Sequence, residues 1–282
     1  MIELGLPDDV QVCLVCEEGD VWPDFAEVNR DNKINLIAVD FNKLLPAALP
    51  AFAGSKAIYR RLILDRILPE RFSRIITLDS DIMAARGGIA PLTNVDLGDH
   101  AFAAAIDMLY YMDFGGPLAE EFRTHREAIG LLADTLYFNS GVLVIDRERW
   151  ASQGLGQCAV DLALSNSKLR WIEQDALNVL ANGHFAPLSP RWNFMGDFLL
   201  LDLEKELAPV LYHFVNRPKP WQEGYAGEAR YHRFYADWFA ETPWADYVRQ
   251  PAQPAHAAVN WSFRSRLLSH LKSRVFADGW RA

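Results

Sequence analysis

Short apolar runs recur along this chain, and stretches of helical character separate most of them. The runs occupy residues 10–16, 34–39, 74–78, 101–106, 141–145 and 210–214. Helices are predicted over residues 55–67 and 173–180. Strands that alternate with helices at this spacing predict an α/β fold, with a mostly parallel, Rossmann-like sheet flanked by helices.

The composition excludes several classes of protein. Half of the 282 residues are apolar and 23% are charged, which excludes disorder along the whole chain. The longest apolar run is too short to cross a membrane. A net charge of −9 argues against general nucleic-acid binding. Three cysteines and a start that lacks a signal-peptide pattern predict a cytoplasmic location.

Cys13 and Cys16 have the spacing of a redox or metal-binding pair. They lie inside an apolar run rather than at the start of a helix, where a thiol pKa would be lowered. Core packing is therefore the favoured interpretation of both.

The sharpest chemical feature is the sequence Asp79-Ser80-Asp81, directly after the apolar run 74–78. Two carboxylates at a strand end can converge on one divalent cation, and ligands of α/β sheets bind at such ends. The pattern is short, so two aspartates that merely solvate a strand end remain the alternative.

Four blocks in the same order give this chain a resemblance to glycosyltransferase family 8. The blocks are Ser55-Lys-Ala-Ile-Tyr-Arg-Arg-Leu together with Arg74-Ile-Ile-Thr-Leu-Asp-Ser-Asp-Ile, Tyr137-Phe-Asn-Ser-Gly-Val-Leu-Val-Ile-Asp, Glu173-Gln-Asp-Ala-Leu-Asn, and His213-Phe with Lys219-Pro-Trp. The resemblance implies a GT-A fold and a retaining, metal-dependent enzyme. Such an enzyme moves a hexose from a UDP-sugar to a glycan acceptor, in the synthesis of lipopolysaccharide or another cell-surface polysaccharide. The implied cofactor is Mn²⁺, with Mg²⁺ as the alternative.

The same resemblance implies roles for individual residues. The implied metal ligands are Asp79, Asp81 and His213. The implied catalytic residues are Gln174, Glu173 and Asp107. The implied substrate-binding residues are Arg61, Asp107, Asn139, Ser140, Asp175, Asn216 and Lys219. Taken singly, His213 could be a core histidine, Asp107 a turn residue and Asp175 a helix cap. Glu173 stands where relatives usually carry aspartate, and Asn216 replaces a small glycine.

The two ends of the chain are interpreted separately. Relatives begin with an apolar strand and an acidic–aromatic turn, whereas this chain begins near their second strand, so residues 1–249 are expected to form an N-terminally incomplete catalytic domain. Residues 250–282 are predicted to be a linker and a basic amphipathic helical tail. The apolar face of this helix holds Phe263, Leu267, Leu268, Leu271 and Val275. Peripheral binding to an anionic membrane and docking on the catalytic domain are equally compatible with this pattern.

Two other functions remain as alternatives. A truncated, inactive family member could bind a sugar or a partner protein. A nucleotidyltransferase would also use strand-end aspartates, but it would carry a glycine-rich loop with a lysine near the N-terminus, which is absent from this sequence. For a transferase, attack on the front face of the sugar is favoured over a covalent intermediate on Glu173 or Asp107.

Overall fold

The computed structural model describes residues 6–19, 25, 29, 34–52, 54–85, 88–111, 118–248 and 260–273. Its strands are β1 (Cys13–Glu17), β2 (Asn35–Val39), β3 (Arg74–Leu78), β4 (Ile82–Ala84), β5 (Phe102–Ile106), β6 (Phe138–Asp146), β7 (Ala186–Leu188), β8 (Phe194–Met195) and β9 (Leu211–His213). Its α-helices are α1 (Leu64–Ile67), α2 (Ala90–Thr93), α3 (Met108–Tyr111), α4 (Ala119–Ala128), α5 (Arg147–Ser152), α6 (Leu155–Ser165), α7 (Ile172–Ala181), α8 (Gly196–Leu200), α9 (Glu204–Leu207), α10 (Ala229–Phe239) and α11 (Trp261–Leu271).

The central sheet has four strands in the order β3-β6-β5-β7. The predicted α/β fold is confirmed: β3, β5 and β7 run in one direction, and β6 runs against them between β3 and β5, so the sheet is mixed. Almost every residue of β5 and β6 is buried, because apolar clusters cover both faces of the sheet.

Two smaller sheets flank the central one. β4, β9 and β8 form the first, in which β9 is the middle strand. β1 and β2 form the second as a parallel pair. Cys13 and Cys16 lie on β1 and form no disulfide; Cys16 is buried, as the core interpretation expects, whereas Cys13 is only partly buried. Burial raises the pKa of the Cys13 thiol.

One long cavity separates β1 from β3. β1 pairs with β2 on one side and β3 pairs with β6 on one side, and in the described ranges neither has a neighbour on its other edge. Both open edges line the same cavity of about 1840 Å³. The side chain of Leu78 at the end of β3 is consequently 41% exposed.

The predicted helix at residues 55–67 is wound differently from the expectation. A 3₁₀ helix over Ala57–Ile63 precedes the short helix α1. In 3₁₀ winding residues i and i+3 lie on the same side, so Tyr59 and Leu62 share the core side. The segment also packs closely on α6, since a Cβ at Gly156 would lie 1.9 Å from the Leu62 carbonyl oxygen.

The C-terminal helix α11 packs on the rest of the protein. Phe263, Leu267 and Leu271 are buried in the main core. Arg264 donates to the carbonyl oxygens of Leu201 and Asp202 at 2.8 and 2.9 Å. This is the docked alternative of the sequence analysis, with the apolar face covered by protein. The predicted linker and Val275 lie outside the described residues.

None of the helices in the described ranges has both the length and the apolar character that spanning a bilayer requires.

Shortening a core side chain on α11 is expected to destabilise the whole protein. Leu267 is 0% exposed, so Leu267→Ala should lower the free energy of unfolding by about 2–5 kcal/mol through lost packing and a residual cavity. Trp261→Ala is the matched control on the same helix, because Trp261 is 61% exposed. Chemical denaturation measures both, and equal small effects would contradict the docking of this helix.

Candidate active site

The two aspartates after β3 lie beside a histidine from β9. The Asp79 amide donates to the Gly141 carbonyl oxygen at 2.9 Å, so the turn continues the β3–β6 pairing. The chain then enters β4, whose Ile82 pairs with His213. This pairing puts His213 Nε2 3.1 Å from Asp81 Oδ1 and 3.7 Å from Asp79 Oδ2.

These three side chains fit a divalent cation. Their ligand atoms all lie within 4.8 Å of one another. His213 Nδ1 lies 2.8 Å from Asn193 Oδ1, which leaves Nε2 as the ring nitrogen directed at the aspartates, where a bound cation would replace its proton. Residue 141 must be glycine for this arrangement, because a Cβ there would lie 2.3 Å from His213 Cε1. Two carboxylates and one imidazole form a donor set that suits Mn²⁺.

Two buried cations balance the charge of the aspartates. Lys219 Nζ donates to Asp81 Oδ2 at 2.7 Å and also to the carbonyl oxygens of Phe214 and Val215. Arg61 donates to Asp79 and to the Ser140 carbonyl oxygen. Burial alone would raise the pKa of the Asp81 carboxyl, but hydrogen bonds and charges from His213 and Lys219 outweigh burial and hold this pKa far below its usual range.

A chain of amide hydrogen bonds connects His213 to Asp107. Asn193 Nδ2 donates to Asn139 Oδ1 at 2.8 Å, and Asn139 Nδ2 donates to Asp107 Oδ2 at 2.9 Å. Gln174 Nε2 donates to the same Asp107 oxygen at 3.1 Å. Because all of these residues are buried, this chain fixes the position of Asp107 at the end of β5.

Glu173 is a buried carboxyl at the start of α7. Its Oε1 accepts from Ser140 Oγ at 3.1 Å and lies 3.7 Å from Arg61 Nε. Burial raises the pKa of Glu173 to about 7, although the charge of Arg61 opposes this shift. Glu173 therefore titrates near neutral pH.

Asp175 has a different position from the other candidates. It is fully buried, and Oδ2 accepts from the amides of Arg170 and Trp171 at 2.6 and 2.8 Å. These contacts hold the turn in which Ile172 has a φ of 32°, a conformation that costs a β-branched residue on the order of 1–3 kcal/mol. The structure thus favours the helix-start alternative for Asp175 over contact with substrate.

The other candidates share one cavity. The cavity between β1 and β3 extends over the aspartates and is lined by Arg61, Asp79, Asp81, Asp107, Asn139, Ser140, Glu173, Gln174, His213, Asn216 and Lys219. Asn193 is a member of the network that the sequence analysis missed. No local motif marks it, since its role depends on the pairing of β8 with β9.

The unusual pKa of Glu173 gives an expected pH dependence of stability. The folded pKa of about 7 exceeds the ordinary value of 4.5, so the folded state binds more protons than the unfolded state between these values. The free energy of unfolding therefore falls as the pH rises through this window. Glu173→Gln removes this dependence and should stabilise the protein more at pH 8 than at pH 5, by on the order of 3 kcal/mol.

Denaturant unfolding of the Glu173→Gln variant at both pH values measures the effect. Glu120→Gln is the control, because the Glu120 side chain is 91% exposed. A stability difference from the wild type that is the same at pH 5 and pH 8 would contradict the raised pKa.

Comparison with protein families and curated proteins gives a consistent result. The sequence model described as "Glycosyl transferase family 8" matches residues 27–224. General stress protein A of Bacillus subtilis is 25% identical over 73% of this chain and 74% of its own length. Lipopolysaccharide 1,2-glucosyltransferase of Escherichia coli K12 is 25% identical over 76% of this chain. The match spans 62% of the length of the E. coli enzyme.

Solved structures share the fold. The galactosyltransferase LgtC, crystallised with donor and acceptor sugar analogues, has a TM-score of 0.61 at 23% identity and covers 76% of this chain and 80% of its own. The bifunctional glycosyltransferase WbbM has a TM-score of 0.67 at 16% identity, over 86% of this chain and 46% of its own. These likenesses show a GT-A fold, as expected from the sequence.

Proposed function

The chain belongs to glycosyltransferase family 8, and we propose that it transfers a hexose from a UDP-sugar to a glycan hydroxyl with retention at the anomeric carbon. The observation that carries the proposal is the convergence of Asp79, Asp81 and His213 with the buried ammonium of Lys219 in one cavity. A site of this charge pattern is suited to a diphosphate, because departure of UDP leaves negative charge that needs stabilisation.

Each end of the site has a separate task in this reaction. Asp79, Asp81 and His213 would hold a divalent cation, which when bound neutralises charge on the diphosphate. Lys219 adds a compact positive charge at the same place. At the other end, we assign the Asp107 carboxylate and the Asn139 amide, which line the same cavity, to hydrogen bonds with the hydroxyls of the donor sugar. Asn216 and Ser140 also line this cavity and are assigned to donor binding.

The geometry favours attack on the front face of the sugar. A covalent route needs a free carboxylate beside the anomeric carbon. Glu173 is bound by Ser140 and lies beside Arg61, and its raised pKa makes it a mixture of acid and carboxylate near neutral pH. Asp107 Oδ2 accepts two amide hydrogen bonds. A diphosphate oxygen of the leaving group is then the acceptor for the proton of the attacking hydroxyl.

The names of the relatives support an enzyme and suggest its acceptor. Several are transferases, including two lipopolysaccharide glucosyltransferases and a galactosyltransferase. We therefore favour an acceptor in lipopolysaccharide or a related surface glycan. Among the described residues, no specific contact favours the alternative of an inactive sugar- or partner-binding protein.

A donor panel tests this function. UDP release should be measured with UDP-glucose, UDP-galactose and other UDP-sugars, with Mn²⁺, with Mg²⁺ and with a chelator. We expect release with at least one UDP-hexose and a loss of release with the chelator. Binding of a UDP-sugar without turnover on any acceptor glycan would instead favour the binding-protein alternative.

A further inference from the structure

We propose a second metal site, for Zn²⁺ or a similar nitrogen-preferring cation, formed by Asp99, His100 and His184. It lies on a different part of the sheet from the candidate active site and does not depend on the proposed function. The ligand atoms of the three side chains lie within 4.8 Å of one another.

The sheet brings the two histidines together. β5 and β7 are parallel neighbours, with Ala103 opposite Ala186. His100 precedes β5 by two residues and His184 precedes β7 by two residues, so both stand at the N-terminal ends of adjacent strands. Asp107 follows the opposite end of β5, roughly 20 Å away at about 3.3 Å per residue. The two sites therefore lie at opposite ends of β5.

The loop that carries His184 and the loop that carries His100 are each stabilised by a local hydrogen bond. α7 is followed by Asn182 and Gly183 with φ values of 45° and 83°, and the amide of His184 donates to the Ala181 carbonyl oxygen at 2.7 Å. On the other loop the Asp96 carboxylate accepts from the Gly98 amide at 2.8 Å. The two imidazoles are therefore presented from turns with defined backbone geometry.

The side-chain environment is suited to a metal. The two imidazole rings are 4.3 Å apart between centroids, and His100 Nε2 lies 3.7 Å from Asp99 Oδ1. Nε2 is therefore the ring nitrogen of His100 that faces a cation held by Asp99, and the other ring nitrogen, Nδ1, is buried.

Arg149 is a charged residue next to this site, and its guanidinium group binds backbone carbonyl oxygens. Arg149 Nη1 donates to the carbonyl oxygens of Gly98 and His100 at 2.6 and 3.0 Å. Arg149 Nε also lies 3.8 Å from Asp146 Oδ2, so a carboxylate offsets its charge near the site.

The donor set selects a different cation from that of the active site. Two imidazoles and one carboxylate, with water in the fourth position, form a tetrahedral zinc site, whereas Mn²⁺ prefers more oxygen ligands. Zinc would require the ligand atoms to approach to about 3.3 Å from one another. Asp99 and His184 are exposed side chains that can make this movement. The bound ion would clamp β7, a strand of three residues, onto β5.

Metal titration of the full chain tests the proposal. Metal-stripped wild type, His184→Asn, Asp99→Asn and Asp81→Asn are titrated with Zn²⁺ by calorimetry, with Co²⁺ absorption as a report on tetrahedral coordination. His270→Asn is the control, since His270 is another partly buried histidine, on α11, away from both sites. Thermal unfolding with and without Zn²⁺ provides a readout that is independent of activity.

We expect one Zn²⁺ equivalent to be retained in Asp81→Asn and His270→Asn as in the wild type, and His184→Asn to bind this equivalent at least about tenfold more weakly. Zn²⁺ should raise the melting temperature of the wild type but not that of His184→Asn. Because His184 and Asp99 are exposed, their variants should fold normally, which circular dichroism checks. Equal Zn²⁺ affinity and stoichiometry in wild type and His184→Asn would overturn the proposal, as would the absence of zinc binding in both.

Discussion

Replacing Asp81 with asparagine is expected to lower metal-dependent turnover by at least about a hundredfold, comparable to the loss of one preorganised electrostatic group. Asp81 accepts from Lys219 and lies 3.1 Å from His213 Nε2, so the substitution removes one of three anionic or imidazole ligands without opening a core cavity. The neutral amide retains the shape of the side chain, and Lys219 keeps its carbonyl partners Phe214 and Val215.

The measurement is kcat at saturating Mn²⁺, together with the affinity for Mn²⁺ by calorimetry. Asp134→Asn serves as the control, because Asp134 is an exposed aspartate in the loop before β6. Thermal unfolding shows whether the fold is intact. Turnover within a few-fold of wild type would remove Asp81 from the metal site.

Replacing Lys219 with methionine is the second substitution with a large expected effect. The variant keeps an unbranched stem in a position that is only 8% exposed, and it removes the ammonium charge that we assign to the diphosphate. We expect kcat to fall by about a hundredfold or more. The affinity for Mn²⁺ should stay equal or increase, because the ammonium no longer competes for Asp81.

This opposite response of turnover and metal affinity separates an electrostatic role from a purely structural one. If Lys219 only supported the loop after β9, both quantities would fall together with the melting temperature. Lys219→Arg tests geometry, since the planar fork of arginine does not replace a compact ammonium in a buried position. Lys168→Met is the control at an exposed lysine. Normal turnover of Lys219→Met would refute the assigned role.

The sequence predicted the parts of the site that are attached to strong local patterns. The run Arg74-Ile-Ile-Thr-Leu identified β3, so the aspartates after it could be placed at a strand end. Asn193 could not be placed in this way, because only the pairing of β8 with β9 brings it to His213. Asp175 was assigned to substrate by motif, whereas its contacts with the Arg170 and Trp171 amides form only when the turn before α7 is folded.

The C-terminal helix shows a similar limit of sequence-based prediction, in this case for the packing partner of a helix. The spacing of Phe263, Leu267 and Leu271 predicted their common face, and the structure buries all three. Amphipathic periodicity indicates that a face needs an apolar partner, but it carries no information on whether this partner is lipid or protein. The hydrogen bonds from Arg264 to carbonyl oxygens in the turn between α8 and α9 show that the partner is protein. The residues that accept these bonds lie about sixty positions away in the sequence.

Within the part of the chain that the structure describes, β1 and β3 each have one edge without a strand partner, and this has a consequence for the behaviour of the protein in solution. An edge strand with unpaired amides and carbonyls is a template for pairing with another polypeptide, and exposed apolar side chains strengthen this tendency. Leu78 at the end of β3 is such a side chain, at 41% exposure. Self-association of concentrated protein would therefore start at this cleft, where a strand from one molecule can extend the sheet of the next, and such pairing would block the same cavity that holds the catalytic candidates.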